Sequence, residues 1–445
     1  MGTFIVVAQF ILALSILIIL HELGHFIPAK IFKTRVEKFY LFFNPWFSLF
    51  KYKKGETTYG IGWLPLGGYV KISGMIDESM DTDQMKKPPQ PWEFRSKPAW
   101  QRLIIMIGGV TVNLILAVFI YAMISFVWGK DYIKNEDLYL GIEVMADEIK
   151  GPDYFMDGDK LLTLDGEEID DFNEINQKIL ISQSRDFTVE RNGEIKSITI
   201  KDQAIDYMLK NESPVFFPQI PTMIDSVIPS GIAHEMGLKK DDKISLLNGK
   251  DVSKYHLFQN RIEELKKGNM DSIELIVERD GNTISLQSKL DTSYKLGFYN
   301  IFLNHPSFKK THVSYTFAQS IPEGFRMGYS TLENYIKQFR LIFTKKEAAK
   351  KVGGLGSIAK MFNETWVWRD FWSRTAFISI ALAFINILPI PAFDGGHVMF
   401  LLYEMISGRP PSDKFLEKAQ IVGFVIILTL FFLSNGNDVY RTWFK

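Results

Sequence analysis

His21-Glu22-Leu23-Gly24-His25 closes a stretch, Phe4 to Leu20, that is apolar except for Gln9 and Ser15. Two imidazoles and a carboxylate therefore stand where hydrocarbon is expected. On a helix, His21 and His25 at i and i+4 project from one face and can grip a single Zn²⁺, while Glu22, about 100° round the axis, comes near enough to hold a water. Those are the mechanics of a metalloprotease helix. The same pattern arises by chance in soluble chains. Its placement argues against chance here, because a charge at the centre of a bilayer-length apolar segment costs about 2.5 to 3.5 kcal/mol and is kept chiefly where it functions.

Catalytic zinc takes three protein ligands and leaves a position open. The chain has no cysteine, so disulfides and thiolate sites are excluded and the donors must be His and carboxylate. The motif supplies two. Far along the chain, Asn386-Ile387-Leu388-Pro389-Ile390-Pro391-Ala392-Phe393-Asp394-Gly395-Gly396-His397 ends another apolar run. Its prolines and glycines must unwind the helix, which is tolerated at membrane depth only where the backbone lines a polar site. Asp394 is the best candidate for the third ligand. His397 competes from three residues away and reads as a supporting or structural residue. His234, His256, His305 and His312 fall in a region assigned below to the other side of the membrane.

The elements that must bring these residues together follow from composition and charge. The 445 residues are 47% hydrophobic and 14% aromatic yet 23% charged, with zero net charge. That mixture implies membrane spans joined to soluble modules, and nothing in it points to nucleic acid. Four spans are expected, at about 3–27, 103–128, 372–388 and 421–433. The first lacks the basic leader and small-residue cleavage site of a signal peptide and should be retained. Lys30, Lys33, Arg35, Lys38, Lys51, Lys53 and Lys54 follow it, an excess of basic residues that marks the cytoplasmic side and puts the N-terminus outside. Four crossings then return the C-terminus to the outside and place Asp394 at the depth of His21 and His25. The second span carries Gly108, Gly109 and Asn113 and ends at Trp128, an interfacial anchor. Asn113 either orients a buried group or bonds a neighbouring helix.

Between the first two spans, Thr57 to Leu64 and Tyr69 to Ile72 read as strands joined by Pro65-Leu66-Gly67-Gly68, a hairpin signal. Either its edge pairs with an extended peptide near the metal, or the hairpin simply packs on the helices. Residues 76–98, acidic and then Pro-rich, read as a loop. From about 130 to 310 the pattern changes to short alternating strands with an internal repeat. Asp159-Lys160-Leu161-Leu162-Thr163-Leu164-Asp165-Gly166 matches Asp242-Lys243-Ile244-Ser245-Leu246-Leu247-Asn248-Gly249, and Val189-Glu190-Arg191-Asn192-Gly193 matches Val277-Glu278-Arg279-Asp280-Gly281. Two tandem β-rich modules account for this. In the second, Ile228 to Leu238 resembles the stretch leading into the Gly-Asp-x-Ile segment of PDZ domains. Residues 311–345 show amphipathic helical spacing, expected at a membrane surface or against the module pair.

Taken together, these motifs resemble the site-2 protease family of intramembrane zinc metalloproteases over nearly the whole chain. The resemblance rests on His-Glu-x-Gly-His, on Leu66-Gly67-Gly68-Tyr69-Val70-Lys71, on Lys97-Pro98 leading to Gly109 and Asn113, and on Asn-x-x-Pro-x-Pro-x-x-Asp-Gly. Val110 and Phe393 stand where the family commonly has proline and leucine, departures that touch no ligand. The resemblance implies that His21, His25 and Asp394 bind Zn²⁺, that Glu22 is the general base, and that Asn386 and Gly67, Gly68, Tyr69, Val70, Lys71 and Ile72 help hold substrate. It further implies regulated proteolysis in the bacterial inner membrane, acting on the transmembrane segment of an anti-sigma factor and on signal-peptide remnants. The fold expected is a polytopic α-helical membrane protein, with four transmembrane helices and a re-entrant β-hairpin, plus tandem extracytoplasmic PDZ domains. Its divisions fall at 1–128, 129–214, 215–300, 301–370 and 371–445. Two rival readings, a membrane-tethered PDZ adaptor with a non-catalytic metal site and a metal transporter, account less well for an intact Glu22 and for the large outer region.

Overall fold

The computed structural model describes residues 2–75, 88–138, 140–291, 293–301 and 310–443, so most of the 76–98 loop and His305 lie outside the described residues. Two compact units result, one made of Met1–Lys130 with Ser314–Lys445, the other of Asp131–Val313.

The first unit is built on α1 (Gly2–Ile31) and, after a small sheet, α2 (Ala99–Trp128). It continues through α3 (Phe317–Thr344), α4 (Trp368–Ile387), α5 (Asp394–Ser407) and α6 (Asp413–Trp443). Gly2–Ile31, Ala99–Trp128 and Asp413–Arg441 are long and apolar enough to cross a bilayer. At 1.5 Å per residue, a 30-residue helix such as α1 spans about 45 Å. The expected third span, α4, falls short of that apolarity because Asp370, Arg374 and Asn386 dilute it. Protein rather than lipid surrounds much of it: Phe371, Thr375, Ala376, Ser379, Ile380 and Ala383 are buried.

Glycine sets how closely α1 and α2 cross. A Cβ on Gly24 would stand 2.4 Å from the Gly108 carbonyl oxygen, and one on Gly108 would stand 2.0 Å from that of Gly24. The helices therefore meet backbone to backbone, which small residues allow in the absence of water. The amphipathic segment forms the single helix α3, which packs on α2 within the first unit. Gly324 lies against Val118 and Ala122 and the Phe317 ring meets Phe126 edge-on, while Ile321, Phe325 and Tyr329 stay exposed.

Between α1 and α2 lie β1 (Val36–Leu41), β2 (Phe50–Lys54), β3 (Thr57–Ile61) and β4 (Tyr69–Ile72), in the order β2-β3-β1-β4. This corrects the expected re-entrant hairpin. β3 and β4 do not pair with each other; β1 separates them, parallel to β3 and antiparallel to β4. Pairing on both sides places β1 inside the sheet, and its Val36 and Tyr40 are buried at 0% and 4% exposure. Pro65 to Gly68 is then a crossover, and the tight hairpin turn is at Gly55-Glu56, where Lys54 faces Thr57. β4 is left at the sheet edge.

In the second unit the repeated sequence becomes repeated topology. Glu194–Thr199, Asp186–Arg191, Lys160–Leu164 and Glu167–Glu168 form one four-stranded sheet in that order. Asn282–Lys289, Ser272–Arg279, Lys243–Leu247 and Lys250–Asp251 form the other in the same order. The matched residues explain each other. Asp159 and Asp242, at 1% and 0% exposure, each accept two bonds from one guanidinium, Arg191 at 2.7 and 2.7 Å and Arg279 at 2.6 and 2.7 Å. Such pairing is what permits a buried carboxylate. The Asn192-Gly193 and Asp280-Gly281 pairs turn their hairpins with positive φ at both residues, the geometry that matches strand twist.

Candidate metal centre

His21 and His25 share one face of α1, as their spacing requires, and Asp394 is the first residue of α5. Leu388 to Phe393 unwinds the chain just before it, with Pro389 and Pro391 interrupting the helix and Ala392 at φ 78°. The three donor atoms converge. His21 Nε2 lies 3.2 Å from His25 Nε2, and each lies 3.3 Å from Asp394 Oδ2. Tetrahedral zinc with bonds of 2.0–2.1 Å separates its ligand atoms by about 3.3 Å, so the triangle has the size zinc requires. Asp394 Oδ2 is also a buried oxygen with no hydrogen-bond partner. A carboxylate oxygen is costly to leave in that condition unless a cation answers it.

The surroundings orient the donors. His25 Nδ1 donates to the Ile105 carbonyl at 2.8 Å, which fixes the tautomer and leaves the Nε2 lone pair facing the other two donor atoms. Asn113, fully buried, approaches His21 Nδ1 at 3.2 Å, and its Oδ1 has no other partner. Rotating the amide by 180° gives that oxygen the Nδ1 proton and frees Nε2 in the same way. Ser379 Oγ of α4 donates to the Asn113 carbonyl at 2.7 Å, so three helices converge behind His21. Asn113→Ala is expected to weaken zinc binding about 10- to 100-fold, read by competition with a chromophoric chelator.

Gly109 supplies the room. A Cβ there would stand 2.5 Å from His25 Nε2 and 2.6 Å from His21 Cε1. Glu22, at 9% exposure, follows His21 on α1 and neighbours Gly68, where an added Cβ would meet Ile18 at 2.5 Å and the Glu22 Cγ at 3.4 Å. The residue before β4 thus lies beside the Glu22 side chain, and Asn386 Nδ2 lies 3.4 Å from His21 Nε2. The side chains of β4 are committed elsewhere. Tyr69 stacks on Tyr40 and bonds Asn44, Lys71 faces Glu37 at 3.8 Å, and Ile72 is buried. What β4 offers is its backbone edge. His397 lies outside the donor cluster and lines a cavity with Arg102 and Glu404. Sequence reasoning missed Gln420, whose side chain reaches the Asp394 loop; the signal was an isolated amide bordering the last apolar run.

A model of the Peptidase family M50 matches residues 9–430. The chain belongs to peptidase family M50. This M50 protein is 28% identical to the regulator of sigma-E protease RseP of Escherichia coli (strain K12), over 98% of each chain. It is 26% identical to the regulator of sigma E protease of Haemophilus influenzae, over 97% of this chain and 98% of that one. A Vibrio cholerae protein named as a zinc metalloprotease is also 26% identical, over the same shares. The M50 protein is accordingly a zinc metalloprotease of the site-2 type, carrying membrane-spanning helices.

Proposed function

We propose that His21, His25 and Asp394 hold the zinc ion and that Glu22 is the general base for hydrolysis of a peptide bond within a transmembrane segment. The observation that carries this reading is the triangle of donors 3.2–3.3 Å apart, with a buried carboxylate oxygen that makes no hydrogen bond at one corner. Bound zinc supplies Lewis acidity, polarising a carbonyl and acidifying water. Glu22 takes the proton from the attacking water and returns it to the departing amine. A substrate helix hides its carbonyls in hydrogen bonds, so it must unwind before it can react. The edge of β4 is the place to hold the opened segment, which joins the sheet as a further strand with its reacting carbonyl near Gly68 and Glu22. Asn386, beside His21, steadies that carbonyl.

The same reading makes α4 a fourth crossing, with both termini outside and the metal centre near the cytoplasmic face of the bacterial inner membrane. The two β-rich modules, 129–214 and 215–300, are read as PDZ domains on the periplasmic side that exclude substrates with a bulky outer domain. Residues 301–370 join them to the helices of 371–445. Substrates of this class are anti-sigma factors after a first cut and signal-peptide remnants. An adaptor with an idle metal site is disfavoured, because it has no use for a carboxylate base beside the donors.

The test combines metal content with cleavage. Purified protein should carry about one zinc and cut a model transmembrane peptide; His21→Ala and Asp394→Ala should lose both. Zinc retained in full by either variant would sink the ligand assignment.

A further inference from the structure

Gln420 belongs to α6, whose neighbouring residues Ile421 and Val422 are 44% and 56% exposed, yet it is itself only 5% exposed. A long amide turned inward from an apolar helix needs a partner, and its Oε1 accepts from the backbone N–H of Ala392 at 3.2 Å. Ala392 is two residues before Asp394 and holds φ at 78°, a conformation that residues with a Cβ seldom adopt. Within this turn the Ile390 amide bonds Leu388 at 2.7 Å and the Phe393 amide bonds Ile390 at 3.0 Å. The buried Ala392 amide instead reaches across to α6. One turn along α6, Gly423 lies against the same segment, where a Cβ would stand 1.7 Å from the Pro391 carbonyl oxygen. A cavity of about 240 Å³ borders Gln420, Leu416 and His397, so close packing alone does not fix the amide.

We infer that Gln420 is a positioning residue of the zinc site: from α6 it holds the strained turn that presents Asp394. This rests on the reading of Asp394 as a ligand. If the bond is lost, a buried N–H is orphaned in a turn already held in an unfavourable conformation, and the turn is free to relax. Asp394, fixed to its end, then drifts from the two imidazoles. Supporting groups of this kind commonly shift metal affinity 10- to 100-fold.

The experiment uses the full-length, zinc-loaded protein in detergent. Gln420→Leu removes the acceptor, Gln420→Glu keeps one, and Val422→Ala is the lipid-facing control. Zinc affinity by chelator competition, kcat and KM on a model transmembrane peptide, and Tm are measured for each. Gln420→Leu should bind zinc about 10- to 100-fold more weakly and lose kcat with little change in KM, while Gln420→Glu stays near the parent. The inference is overturned if Gln420→Leu keeps parental zinc affinity, or if Gln420→Leu and Gln420→Glu lose zinc equally in step with a fall in Tm. His21→Ala separates the two levels. If it also keeps zinc, the ligand assignment has failed; if it alone loses zinc, only the role of Gln420 has.

Discussion

Glu22→Gln is expected to lower cleavage of a transmembrane peptide by about 10²- to 10⁴-fold, the range that a positioned general base contributes, with zinc content unchanged. The two halves of that expectation come from different residues. Zinc retention is expected to rest on the proposed ligands His21, His25 and Asp394, whose donor atoms make a closed triangle that does not include Glu22. Proton transfer is assigned to the proposed base Glu22, next in sequence to His21 and lodged at 9% exposure beside Gly68, the residue before β4. Gln has nearly the same shape and remains able to hydrogen-bond a water, but it cannot accept its proton. The loss should therefore fall on kcat with KM nearly constant, since nothing that grips the substrate has changed. A variant that binds zinc normally and cleaves at the parental rate would remove Glu22 from the mechanism.

The donor set was legible in the sequence because its chemistry is local at one end and unusual at the other. His21 and His25 are fixed by helical periodicity alone. Asp394 came from an argument about depth, prompted by Pro389, Pro391, Gly395 and Gly396, which advertise broken helix in an apolar run, and the fold brings its Oδ2 to 3.3 Å from both imidazoles. The repeat was legible for a related reason. Asp159 with Arg191, and Asp242 with Arg279, are buried pairs whose geometry tolerates little variation, so the same letters recur. The small sheet was misread. Periodicity identifies strands but not partners, and Val36–Leu41, which separates the two expected partners, reads as part of a basic loop until its burial is seen. Asn113 and Gln420 show the remaining limit. A single amide in an apolar helix signals that something polar is near, but only the fold says that one faces His21 and the other faces Ala392.

Gly109→Ala is the smallest change expected to abolish activity. The added methyl would stand 2.5 Å from His25 Nε2, 2.6 Å from His21 Cε1 and 2.8 Å from His21 Nε2. It would enter the space where the donors converge. Elsewhere in a core an extra methyl costs about 1–3 kcal/mol and neighbours give way. Here the helices cannot. α2 meets α1 backbone to backbone at Gly24 and Gly108, so sliding α2 sideways drives those carbonyls together. Backing α2 away would carry with it Ile105, which holds His25, and Asn113, which faces His21. The imidazoles must therefore rotate, and the triangle with Asp394 opens before the helices separate. Zinc affinity and cleavage should both fall by more than about 100-fold, more than losing one supporting hydrogen bond would cost. Tm should drop by no more than a few degrees, because the surrounding apolar contacts survive. Ile115→Ala, at a position 63% exposed on the same helix, is the control that should leave metal and activity intact. Normal zinc binding by Gly109→Ala would mean that the helices yield more readily than their contact implies, and that the missing side chain is not what keeps the site open.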